Sequence, residues 1–317
     1  MTEALFPATE PYATGMLDVA GGHRVYWEES GNPRGIPVLF CHGGPGSSTS
    51  PAHRRFFDPA LYRAVLFDQR GCGRSLPLGE IRSNTTWDLV SDMEALRRRL
   101  EIERWLLFGG SWGATLALTY AQRHPEAAAG LVLRGVFLGT DAEVEWFLKG
   151  LRRFVPEAWS AFAHALEVDA SGDPLEACVS LIEASGETAR RAAQAWIDYE
   201  AAVMALGERP GSASGVLSDA AVLARVRVQT HYLRHRCFLA ERPILTHMAA
   251  IQALPAIIVQ GRLDMVCPPA TAARLAACWR AAELRMVDHA GHFVFNAHLA
   301  AALVDALADF SARLRDT

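Results

Sequence analysis

The stretch Gly109-Gly110-Ser111-Trp112-Gly113 sets a serine between the apolar run Trp105-Leu106-Leu107-Phe108 and the helix-prone segment Ala114-Thr115-Leu116-Ala117-Leu118. A serine on a sharp strand-to-helix turn projects its oxygen beyond the sheet, where it can attack a carbonyl carbon. The glycines serve that turn, which forces strained dihedrals on the serine and needs close packing of strand and helix around it. Gly-x-Ser-x-Gly also arises by chance, so Ser111 needs partners elsewhere in the chain before it reads as a nucleophile.

A serine hydroxyl attacks only when a base takes its proton and a carboxylate holds that base in one tautomer. Both partners follow. Asp264 closes Gly261-Arg262-Leu263-Asp264, directly after the apolar run Ile257 to Gln260, and His292 lies in Ala290-Gly291-His292-Phe293, after Leu284-Arg285-Met286-Val287. Ser, Asp, His, each on a loop after a strand, is the chain order of α/β-hydrolase triads. Alone, Asp264 reads as a turn or N-cap aspartate and His292 as a structural histidine; order, spacing and loop context together favour catalysis. Asp288 and His289 compete. His292 is preferred because Gly291 permits a tight loop that delivers the ring to Ser111, and Asp288 and His289 read as turn residues. His42-Gly43-Gly44-Pro45-Gly46 follows the Val38 to Cys41 run. Its exposed backbone N–H groups suit a developing oxyanion, at roughly 3 kcal/mol per donor. The assigned donors are the N–H groups of Gly44 and Trp112. Without a Gly-Lys-Ser/Thr ending, the loop does not read as a nucleotide phosphate cradle.

These loops need a sheet behind them. Residues 17–29 and 37–41, with Arg63 to Phe67, Trp105 to Phe108, Gly130 to Arg134 and Ala256 to Gln260, read as strands, most of them continuously apolar. Helical stretches such as Thr86 to Leu100 and Thr115 to Arg123 separate them, which predicts a mostly parallel, doubly wound α/β sheet covered on both faces. From about 138 to 248 the strand signal gives way to Trp, Ala, Glu and Arg at helical spacing, with a break at Pro210-Gly211-Ser212-Ala213-Ser214-Gly215. The expected organisation is a core of 1–137 and 249–317 interrupted by a helical cap, 138–248.

At 317 residues and 50% hydrophobic content, the chain can bury one large core. Lys+Arg of 31 against Asp+Glu of 35 gives −4, with no basic footprint for nucleic acid and no polybasic membrane patch. Lys149 is the sole lysine, which argues against Schiff-base chemistry. Neither a signal peptide nor a run of 18 apolar residues is evident, so a cytoplasmic protein off the membrane is expected. The cysteines Cys41, Cys72, Cys178, Cys237, Cys267 and Cys278 lack a Cys-x-x-Cys pair and read as free thiols, without zinc or a disulfide framework. No metal or cofactor is called for, and nothing in the sequence sets an oligomeric state.

Taken with Phe67-Asp68-Gln69-Arg70-Gly71-Cys72-Gly73-Arg74-Ser75 and Asn84-Thr85-Thr86-Trp87-Asp88-Leu89-Val90, the His-Gly-Gly-Pro-Gly and Gly-Gly-Ser-Trp-Gly motifs resemble the proline iminopeptidase (prolyl aminopeptidase) family of serine peptidases. The resemblance spans the core and much of the cap. It implies release of N-terminal proline from peptides without a cofactor, with Ser111, Asp264 and His292 as triad. It also implies two cap carboxylates that hold the substrate's free amine. Trp196-Ile197-Asp198-Tyr199-Glu200 matches the first, placing Glu200 there; unaided, Glu200 would read as a solvated helix carboxylate. The second segment, Gln229-Thr230-His231-Tyr232-Leu233, carries a neutral amide instead, which can still accept a hydrogen bond from an ammonium but supplies no charge. Leu148 stands near where the family tends to have an aromatic, while Arg134, Gly135 and Phe137 match, implying that Phe137 packs on the proline ring and Arg134 braces the acidic groups. Small peptides or aminoacyl amides are the expected substrates. The alternative is a hydrolase of the same mechanism acting on amino-acid amides, esters or a dedicated metabolite.

Overall fold

The computed structural model describes residues 4–169, 172–184, 186–207 and 217–315. The Pro210 to Gly215 break lies outside the described residues. Eight strands form one sheet, in spatial order β1-β2-β4-β3-β5-β6-β7-β8. They are β1 Ala13–Val19, β2 His23–Gly31, β3 Ile36–Cys41, β4 Tyr62–Phe67, β5 Trp105–Ser111, β6 Ala128–Val136, β7 Ala256–Gly261 and β8 Ala282–Val287. β1 with β2 and β2 with β4 pair antiparallel; all later neighbours pair parallel. The stretch 17–29 is therefore not one strand. Gly21 and Gly22 take φ of 77° and 79°, left-handed turns that cost glycine little, and they fold it into a hairpin.

The continuous apolar reading of the inner strands has a simple cause. Along β3, Val38 and Phe40 enter one buried cluster while Leu39 and Cys41 enter the other, so both faces are covered and alternation disappears. One face carries α2 (Thr86–Arg99) and α3 (Trp112–Arg123), and the opposite face carries α10 (Ala297–Arg315). The short α1 (Pro51–Arg54) follows the loop after β3, and α9 (Pro269–Ala277) joins β7 to β8.

Between β6 and β7 the described residues are mostly helical: α4 (Asp141–Glu145) running on through a π-helical turn at Trp146–Gly150, then α5 (Pro156–Ala165), α6 (Pro174–Glu183), α7 (Glu187–Met204) and α8 (Asp219–Arg234). Phe147, Trp159, Phe162, Trp196 and Tyr199 form its aromatic centre, with Phe162 and Tyr199 stacked at 4.8 Å and 8°. The Asn84 to Trp87 segment ties these helices to the sheet. Asn84 Oδ1 accepts from Tyr232 at 2.8 Å, Trp87 Nε1 donates to the Phe238 carbonyl at 3.1 Å, and Tyr232 packs edge-on against Trp112 at 4.9 Å. The same segment opens α2, where Thr85 and Asp88 exchange capping hydrogen bonds.

Candidate active site

Ser111 sits where β5 becomes α3, with φ 57° and ψ −127°. A non-glycine residue at positive φ is held there by its surroundings. Here the surroundings are glycines: a Cβ on Gly113 would collide with the Cys41 carbonyl, and one on Gly109 with the Gly113 carbonyl. β3, β5 and α3 therefore converge on backbone contact, and the turn cannot relax.

His292 is buried and its Nδ1 lies 2.8 Å from Asp264 Oδ2. Asp264 Oδ1 accepts the Cys267 N–H at 2.8 Å, and Oδ2 also receives Gln260 Nε2 at 3.4 Å. With Nδ1–H donated to the carboxylate, Nε2 keeps its lone pair, and Arg134 Nη1 approaches it at 3.3 Å while also donating to the His292 carbonyl at 2.9 Å. Gly135, at φ 48°, makes room for this pair, since a Cβ there would lie 3.1 Å from both Asp264 Oδ2 and His292 Cε1. Asp288 and His289 stand apart: Asp288 is exposed and paired with Arg262 at 2.5 Å, and His289 occupies a surface turn at φ 60°.

The loop after β3 lies beside the serine, with Gly43 next to Ser111 and Gly44 at φ 116°. His42, Gln69 and the Trp112 side chain hold it. His42 Nε2 accepts the Gln69 N–H at 3.0 Å, Nδ1 donates to the Gly43 carbonyl at 2.9 Å, and Gln69 bridges the His42 carbonyl at 2.9 Å to Trp112 Nε1 at 2.8 Å. Burial lowers the His42 pKa, which suits this neutral tautomer. Asp68 braces the same loop from below, accepting Thr49 N–H at 2.8 Å and Arg74 Nε at 2.8 Å. Desolvation raises its pKa, but the contacts with Arg74, His42 and Thr49 together outweigh it, and the carboxyl stays below its usual range.

One cavity joins these parts to the helices between β6 and β7, lined by Ser111, His292, Gly43, Gly44, Arg134 and Phe137 on one side and by Phe147, Glu200, Arg225 and Gln229 on the other. The aromatic that these helices bring to the cavity is Phe147; Leu148, its neighbour, is buried in the apolar core. Glu200 is 9% exposed. Its Oε2 accepts Arg225 Nη2 at 2.6 Å and its Oε1 accepts Gln229 Nε2 at 2.9 Å. The Gln229 oxygen is turned away, accepting Trp196 Nε1 at 3.1 Å, so the amide presents a donor to Glu200 where an acceptor for an ammonium is expected. Arg134, which the resemblance implies braces the acidic groups, lies across Gly110 and donates to the histidine loop at the His292 carbonyl.

Sequence reasoning missed Arg225, Gln260 and the Gln69–Trp112 bridge. Arg225 precedes Gln229 by four residues on α8 and so shares its face, a spacing legible in advance. Gln260 is the one polar side chain of the β7 run Ala256–Gly261. All six cysteines are free, five of them buried and Cys278 exposed. Burial pushes the thiols of Cys41, Cys72 and Cys267 far above their usual range, and Cys267 lies within hydrogen-bonding reach of the Ser111 side chain. Among the described residues no cluster of three or more His, Cys, Asp or Glu could hold a metal, and no helix is long and apolar enough to cross a membrane.

The sheet order, the strained serine between β5 and α3, and the acid–histidine pair after β7 and β8 define an α/β-hydrolase-fold serine hydrolase. Residues 36–298 match the α/β hydrolase fold family. The chain is 43% identical over 315 residues to the proline iminopeptidase of Neisseria gonorrhoeae, covering 98% of this chain and 100% of that protein. It is 42% identical over 304 residues to the proline iminopeptidase of Arabidopsis thaliana, covering 95% and 80% respectively. It therefore belongs to the proline iminopeptidase family. A solved proline iminopeptidase-related protein from Thermus thermophilus superposes with a TM-score of 0.55 at 25% identity, covering 96% of both chains. The proline iminopeptidase of Mycobacterium smegmatis, at 18% identity, shares the fold, with a TM-score of 0.60.

Proposed function

We propose that this protein removes N-terminal proline from short peptides through an acyl-enzyme on Ser111, without a metal or cofactor. Ser111 Oγ turns from Cys267 toward His292 Nε2, gives up its proton there and bonds to the prolyl carbonyl carbon. The N–H groups of Gly44 and Trp112 receive the oxyanion. His292 then returns the proton to the departing amine, and water, activated by the same imidazole, releases proline and restores Ser111. Asp264 holds the ring and stabilises the imidazolium throughout.

The observation that carries this reading is a partly buried carboxylate, Glu200, in the same cavity as the Ser111–His292–Asp264 set. A carboxylate above a serine nucleophile suits a substrate with a charged amine beside its scissile carbonyl. Phe137 and Phe147 offer apolar faces to the proline ring, and Arg134 braces the histidine loop. In this reading residues 138–248 are a cap that closes the cavity over one N-terminal residue, and the protein works in the cytoplasm.

A panel of aminoacyl β-naphthylamides tests it, with the proline compound expected to lead. The Arg225–Glu200 pair favours a second reading, a hydrolase of the same mechanism for other amides or esters. Preference for p-nitrophenyl esters over every free-amine amide would select that reading and reject the first.

A further inference from the structure

Arg225 stands inside the cavity at the place where a substrate cation would be neutralised. Its Nη2 donates to Glu200 Oε2 at 2.6 Å, and the two side chains are only 26% and 12% exposed. The other Glu200 oxygen takes Gln229 Nε2 at 2.9 Å. Glu143, a second carboxylate lining the cavity, is already engaged by the Leu138 N–H at 3.0 Å and by the Thr140 N–H and hydroxyl at 3.0 and 2.6 Å. Glu200 and Arg225 cancel in charge, so an arriving ammonium meets a neutral site with a guanidinium already on the carboxylate. Arg225 Nε, moreover, is buried without a hydrogen-bond partner among the described residues. A buried donor left unpaired is unfavourable, so the guanidinium keeps this position against a standing penalty that swinging outward would relieve.

We infer that Arg225 is a specificity-determining residue: an internal counter-ion that a substrate ammonium must displace from Glu200, lowering the selectivity of this enzyme for free-amine substrates over substrates that lack an amine. The inference rests on Glu200 being the amine site. Sequence spacing supports a direct effect, because Arg225 and Gln229 lie one turn apart on the α8 face that meets Glu200. Where the family resemblance implies two carboxylates, this chain has one carboxylate, one amide and one cation.

The test is the ratio of kcat/KM for proline β-naphthylamide to kcat/KM for p-nitrophenyl butyrate in wild type, Arg225→Met, Arg225→Gln and Arg225→Lys. Both neutral variants should raise the ratio about tenfold, the difference in free-amine binding that one partly screened charge supports, with the gain falling in KM. Arg225→Lys, which keeps the charge, should stay near wild type. In a Glu200→Gln background the gain should vanish, since Arg225 acts through that carboxylate. A folded Arg225→Met or Arg225→Gln with an unchanged or lower ratio would overturn the inference, as would a lysine variant that behaves like the neutral ones or a gain that survives Glu200→Gln. Wild type that fails to turn over proline β-naphthylamide overturns the functional reading, and this inference with it; wild type that turns it over while the ratio stays fixed overturns Arg225 alone.

Discussion

The contacts of Ser111, Asp264 and His292 set the expected effects of single substitutions. In the proposed reaction Ser111→Ala removes the attacking oxygen and leaves a small void on a turn already fixed by glycine packing, so turnover should fall to a few per cent or less with Tm nearly unchanged. His292→Ala should be comparably damaging. Asp264→Asn should be severe because an amide favours the wrong imidazole tautomer. His289→Ala should be mild, since that residue lies on a surface turn; steady-state rates of the four variants decide, and loss of activity in His289→Ala with retention in His292→Ala would reverse the assignment. The strand-to-helix turn at Ser111 and the Asp264–His292 contact were legible because each residue follows an apolar strand in a recognisable chain order. What escaped was orientation: nothing in the sequence says that the Gln229 oxygen turns to Trp196 or that Arg225 takes Glu200, because both are outcomes of packing α7 against α8. The cysteines show the same divide. Sequence position sets Cys41, Cys72 and Cys267 beside chemistry-bearing loops and suggests ready inhibition by bulky thiol reagents, but burial raises their thiol pKa values. Ellman's reagent should therefore label about one thiol per native chain, Cys278, with the others reacting after denaturation; rapid labelling of several in the native protein would contradict this.

Elements carry the next set of expectations. α8 is held to the sheet domain by Tyr232 on Asn84 and is crossed by Trp112 of the elbow. Tyr232→Phe leaves the Asn84 oxygen without this donor in a buried place, at a cost of about 1–3 kcal/mol, and should lower Tm. A larger relative loss in kcat/KM for proline β-naphthylamide than for an ester would show that α8 also positions the amine site. Gln229→Glu sets a second carboxylate against Glu200 Oε1, a like-charge contact that Arg225 or a bound ammonium relieves. It should improve proline-amide KM, and more so when combined with Arg225→Met; if it instead abolished the best activity, Gln229 would be a determinant for another substrate. The motif around Asp68 to Ser75 reads in sequence only as a family signature. The structure gives it a physical role, because Asp68, Gln69 and Arg74 brace the Gly43–Gly44 loop through bonds to Thr49 and His42 that no local pattern reveals.

For the whole molecule, the doubly wound sheet was legible because buried parallel strands are uniformly apolar, and the β1–β2 hairpin was not because Gly21-Gly22 interrupts an extended run without a polar loop. The wall of the cavity also stores an acid sensitivity. His53, packed against Phe40 at 4.7 Å and Phe295 at 5.5 Å, has its pKa pushed down to about 3 by burial, and His42 is lowered for the same reason. Below about pH 6.5 the unfolded chain binds a proton at His53 that the folded chain refuses, so stability falls as pH drops from about 6.5 toward 3, by up to about 1.4 kcal/mol per pH unit, and His42 acts in the same direction. Replacing His53 with Phe should flatten Tm between pH 7 and 5; an unchanged slope would place the sensitivity elsewhere. Whether Ser111 cleaves after a free N-terminal proline held by Glu200 is decided by kcat/KM of the wild type on proline β-naphthylamide and on its N-acetyl derivative. Acetylation removes the ammonium and adds bulk beside Glu200, so the free-amine compound should be preferred by two orders of magnitude or more, roughly the sum of a lost charge-assisted hydrogen bond and a steric clash. Equal rates on the two compounds would contradict the account.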